Sequence, residues 1–154
     1  MDTTITTPQV RQRWKEAKQL GVLAAFDDAV TGTRVKQFCQ GLSRDLGRQC
    51  QITQHVWLFN TLRLRELQEI AAEEASASDL IIISVHQAQG LPDEVKSWIG
   101  LWLRPEVKHA GVLLALPDPD SAADPDSVLS YLQEVASRAG MEFLVESGEA
   151  PGSR

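Results

Sequence analysis

Between Asp79 and Ser84 the chain reads Asp79-Leu80-Ile81-Ile82-Ile83-Ser84, an unbroken aliphatic run with a polar residue at each end. Apolar and polar residues do not alternate, so a strand built from this run is apolar on both sides. Such a strand belongs inside a parallel sheet covered on both faces. Gly21–Phe26 and Gly111–Leu116 repeat the pattern and predict two further interior strands.

Helical spacing fills the intervals. Upstream of Asp79, Leu64, Leu67, Ile70, Ala71 and Ala75 predict one helix face, with Glu66, Glu69, Glu73 and Glu74 elsewhere. Downstream, Leu91-Pro92 opens a helix whose stripe is Val95, Trp98, Ile99, Trp102 and Leu103, and Pro105 ends it. Val35, Phe38, Leu42 and Leu46 form another stripe, stopped by Gly47. Asp124-Pro125 caps a helix carrying Val128, Leu129, Leu132, Val135, Ala136 and Ala139, and Met141–Glu146 makes a last strand. Gln51–Phe59 also reads as a strand, but Gln51, Thr53, Gln54 and His55 make it polar and suit it to a sheet edge.

Strict alternation of strand and helix predicts a three-layer α/β/α sandwich around a five-stranded parallel sheet. Right-handed crossovers and the polar second strand select the order 2-1-3-4-5. Thr7-Pro8 starts an additional helix to about Gln19, with Val10, Trp14 and Ala17 on its apolar side. The expected organisation is a basic amphipathic helix over 1–20 packed on the domain, an α/β domain over 21–147, and a flexible tail over 148–154.

The 154 residues are 43% hydrophobic with a formal net charge of −6, enough for one domain with a real core. Residues 1–48 hold 8 basic and 5 acidic side chains, and residues 49–154 hold 7 and 16. That balance argues against nucleic-acid binding. Arg11, Arg13, Lys15 and Lys18 crowd the first helix, where they either dock an acidic protein partner or form a solvated face. No apolar run spans a bilayer. Met1–Thr7 lacks a secretory pattern, so a cytoplasmic location is expected. Cys39 and Cys50 lack metal or redox spacing and read as free buried thiols.

In open sheets of this order, ligands bind beyond the carboxyl ends of the strands, where the order reverses. Asp27, Asp28, Thr31 and Gly32 follow the first strand, Ser84, His86 and Gln87 follow the third, and Trp57 ends the neighbouring second. Asp27, Asp28 and His86 could hold a divalent ion. The plainer alternative is that an aspartate caps the next helix. Thr31-Gly32-Thr33 could meet a phosphate or flavin phosphate through backbone N–H groups, or serve as a turn and cap. Trp57 could stack a planar ligand or face a partner. Ser84 and His86 sit too close in sequence for a nucleophile and its base, and no G-x-S-x-G occurs. Walker A and G-x-G-x-x-G motifs are also absent.

The pattern resembles the flavodoxin-like group. Of its flavin-phosphate loop, however, only Thr31 and Gly32 fit, because Ala29 and Arg34 stand at hydroxyl positions. Asp27-Asp28 looks like the acidic pair of response-regulator receivers, but Ser84-Val85-His86, Pro117 and Ser147 replace the remaining phosphotransfer residues. Phe26-Asp27-Asp28 with Thr31-Gly32 and Arg34, Trp57-Leu58-Phe59, Ala71-Ala72 through Asp79, Ser84-Val85-His86, Leu91-Pro92 and the Trp98/Trp102-Leu103 helix are similar to an uncharacterised group of bacterial proteins. That likeness implies a shared design and no chemistry. The expected function is a non-enzymatic signalling or interaction module without a cofactor. The alternative is a small-ligand, flavin or divalent-metal binding protein using the switch-point cleft.

Overall fold

The aliphatic run 80–84 forms the central strand of a single sheet. The computed structural model describes residues 14, 17–86, 90–103, 111–117 and 126–146. The strands are β1 (Gln19–Phe26), β2 (Gln51–Leu58), β3 (Leu80–Ser84), β4 (Val112–Leu116) and β5 (Glu142–Val145). They lie in the order β2-β1-β3-β4-β5, and every neighbouring pair is parallel. The helices are α1 (Ala29–Leu46), α2 (Arg65–Ser76), α3 (Asp93–Trp102) and α4 (Asp126–Ala139), with a short 3-10 helix at Phe59–Arg63.

Alternation along each strand divides the core in two. Leu23, Ala25, Ile81, Ile83, Leu113 and Ala115 face α2, α3 and α4. Val22, Ala24, Leu80, Ile82, Val112 and Leu114 face the opposite way, toward α1, where Trp14 and Ala17 also pack. This makes a three-layer α/β fold. Right-handed crossovers explain the split: the step from β1 out to β2 puts its helix on one face, and every step back across the sheet uses the other. Both cysteines are free and buried. No described helix is long and apolar enough to cross a membrane.

Local expectations shift in three places. β1 begins at Gln19, where the sequence pattern predicts a helix end, because Gln19 and Leu20 pair with Gln51 and Ile52 of β2. Lys18 lies just ahead of that strand, and its carbonyl accepts from Gln51 N–H. Arg11, Arg13, Lys15 and most of the expected N-terminal helix lie outside the described residues, as do Pro105, the Asp124-Pro125 cap and the tail. Phe59 leaves the strand to start the 3-10 helix, because its ring and Leu62 plug the α2–α4 core.

The third shift concerns α2, whose buried side is Gln68, Ala71, Ala72 and Ala75. Leu64 and Ile70 are instead 62% and 48% exposed. Alanines let this helix approach closely. Gln68 is tolerated inside because its amide donates to the Leu62 carbonyl at 2.9 Å.

Candidate functional site

β1 ends at Phe26, and the next two residues are the acidic pair. Asp28 is the N-cap of α1, extended at φ −155° and ψ −168°. Its Oδ1 accepts from Thr31 N–H at 3.0 Å, while Thr31 Oγ1 accepts from the N–H groups of Asp27 and Asp28, each at 2.8 Å. This is a reciprocal capping box with threonine in the position usually held by a longer acid or amide. Thr31 is fully buried. Helix capping, the plainer reading of the pair, therefore applies to Asp28.

The cap leaves Asp28 Oδ2 for a second task. His86, just past β3, places Nε2 at 2.8 Å from it, joining residues 58 apart in sequence. The Thr31 N–H, with a smaller contribution from the His86 ring, holds the Asp28 carboxyl below the usual carboxylate range. The two connections thus tie the loop after β3 to the first turn of α1. Ser84 reinforces the joint from below, its buried hydroxyl donating to Thr31 O at 2.9 Å. Sealed in this way, Ser84 cannot serve as a nucleophile.

Asp27 is half-buried beside this pair. One ligand-capable atom each from Asp27, Asp28 and His86 lies within 4.8 Å of the others. Three of the expected site residues are thus brought together from two strand ends. Arg34 pins the same turn from the far side, donating to Leu116 O at 3.2 Å and to Pro117 O.

Other expected residues go elsewhere. Trp57 does not reach the cluster. It packs against the α2–α4 core, and its indole N–H donates to Glu74 at 2.8 Å. A strand alternates its side chains, and position 57 points to the face opposite α1. Gly32 is inside α1, with its N–H bonded to Asp28 O at 2.8 Å. With Thr31 N–H also spent on the cap, neither backbone donor is open to a phosphate. Gly32 has a packing role instead, since a Cβ there would sit 2.9 Å from the Phe26 ring. Gln87 lies outside the described residues.

One feature had no signal in any motif. A groove of about 660 Å³ runs between α1 and β2, on the α1 face. Its apolar lining is Phe26, Val35, Cys39, Ile52 and Val56, with Lys36 at the rim. Burial raises the Cys39 thiol above its usual range. The groove exists because α1 packs over β1 and β3 and leaves the α1 side of the edge strand uncovered. It shares no lining residue with the Asp27–Asp28–His86 cluster. No protein-family model matches the chain, and no curated protein matches it.

Proposed function

We propose that this protein is a binding module that takes a divalent cation at the switch point of its sheet, with Asp27, Asp28 and His86 as ligands. The convergence of these three side chains within 4.8 Å carries the reading. Two ligands at right angles, each about 2.1 Å from an ion, stand about 3 Å apart. His86 Nε2 and Asp28 Oδ2 are already 2.8 Å apart. The capping box holds Asp28 in place, an ion would replace the hydrogen bond between His86 and Asp28, and the Asp27 carboxylate has no hydrogen bond among the described residues. One imidazole with two carboxylates suits a first-row transition dication better than magnesium, which prefers oxygen alone. Water completes the shell. Binding requires a neutral His86 ring, so affinity falls in acid.

Thermal unfolding with Mn²⁺, Zn²⁺ and Mg²⁺ tests the proposal. A cation at a hundred times its dissociation constant adds about 2.7 kcal/mol of stability. Asp27→Asn and His86→Gln should each abolish the shift. Asp28→Asn separates charge from capping, because asparagine caps as well as aspartate. A wild-type protein that responds to no dication, or an Asp27→Asn variant that responds normally, would refute it. The other reading, a protein-interaction module, is supported by the apolar groove, with exposed Val56 in its lining, and by the exposed Leu58 on the same strand.

A further inference from the structure

β2 occupies one edge of the sheet and pairs in unbroken register with β1 over Gln51–Leu58. Among the described residues, no strand pairs with its other side. Sheet edges of this length are normally guarded against association by lysine or other charges, proline, a bulge or shortness. This one carries none of these guards: Gln51-Ile52-Thr53-Gln54-His55-Val56-Trp57-Leu58 has no Lys, Arg, Asp, Glu, Pro or Gly. Val56 and Leu58 are 56% and 37% exposed on it. The opposite edge makes a contrast, since β5 has four residues and opens with Glu142.

We infer that β2 is the pairing edge of a homodimer, in which two copies join their β2 strands antiparallel about a twofold axis at Gln54. A twofold axis through the seam makes the strands antiparallel and continues one sheet through both subunits. This register places Ile52 opposite Val56 of the partner subunit, and Thr53 opposite His55 of the partner subunit. Gln54 meets its own copy. Charge favours a second copy as the occupant, because an uncharged strand can meet itself without repulsion even in a chain of net charge −6. Glu74, which reaches β2 from α2, already has its carboxylate engaged by Trp57 at 2.8 Å and by His55 at 3.5 Å. The pairing is independent of the cation cluster, none of whose residues lies on β2.

Light scattering coupled to size exclusion of the pure full-length chain at micromolar concentration should report twice the chain mass. Val56→Lys and Gln54→Lys should each halve it, with far-UV dichroism and a cooperative melt unchanged, since both positions are exposed. Gln54→Glu should also be monomeric, and mixing it with Gln54→Lys should restore the dimer. A monomeric wild type, as expected if the edge serves a strand of another protein, overturns the inference. So does a dimer that persists in Val56→Lys and Gln54→Lys. Failure of the mixed variants to reassociate overturns the Gln54-centred pairing.

Discussion

Replacing Thr31 with valine keeps the shape of a fully buried side chain and removes one oxygen. That oxygen accepts from two backbone N–H groups, those of Asp27 and Asp28, at 2.8 Å each. Both donors are part-buried, so each should cost about 1 kcal/mol when left without a partner, at the low end of the usual range. Loss of the hydroxyl's own donated bond brings the expected destabilisation to about 2–3 kcal/mol. With a urea dependence of roughly 2 kcal/mol per molar, the unfolding midpoint should fall by about 1–1.5 M. Asp28→Ala removes the other half of the box and should cost about 1 kcal/mol as a lost cap. Because both changes dismantle one structure, the double variant should lose less than the sum, with a coupling of at least about 0.5 kcal/mol. Urea titrations followed by tryptophan fluorescence and dichroism measure all three. A Thr31→Val protein within about 0.5 kcal/mol of wild type, or strict additivity, would refute the capping argument.

Gly32→Ala should destabilise despite a helix-propensity gain of about 1 kcal/mol, because overpacking against the Phe26 ring costs about 1–3 kcal/mol; a raised melting temperature would contradict this. Asp28 has a lowered folded-state pKa, so its contribution is present above the ordinary carboxylate value near pH 4 and is lost as pH falls through the folded value. Asp28→Asn should therefore flatten the acid limb of the stability-pH profile, and an unchanged limb would count against the linkage. Trp98 is buried edge-on to Trp102 at 5.8 Å between ring centroids, and its indole N–H has no partner among the described residues. Trp98→Phe removes that unpaired donor as well as volume and should cost under about 1.5 kcal/mol, while Trp98→Ala should cost about 3–5 kcal/mol. A Trp98→Phe loss well above about 1.5 kcal/mol would show that removing the unpaired N–H brings no relief.

Residues 80–84 show why so much of the fold is legible in one dimension. A run with no polar side can only be an interior strand, and helices between such runs impose the parallel order, with polar β2 at the edge. The α2 face is a different case. Leu64 and Ile70 carry the stronger hydrophobic signal, yet the helix buries its alanines and Gln68, because small side chains permit the closest approach and Leu62 supplies an acceptor. Trp57 departs from the expected cluster for a related reason, since proximity to a strand end says nothing about which face a side chain takes. The groove left no mark at all, being a space defined by where α1 stops covering the sheet.

The sequence by itself determined the strand–helix alternation, the sheet order and the region where Asp27, Asp28 and His86 had to lie. Hydrophobic period and crossover handedness are properties of local chain geometry and need no knowledge of distant contacts. Only the tertiary structure decided that Asp28 caps α1 with one oxygen and meets His86 with the other, and that Ser84 is sealed beneath Thr31. Each of those outcomes depends on side-chain direction and on which segment covers which, and these are set when elements far apart in sequence pack together.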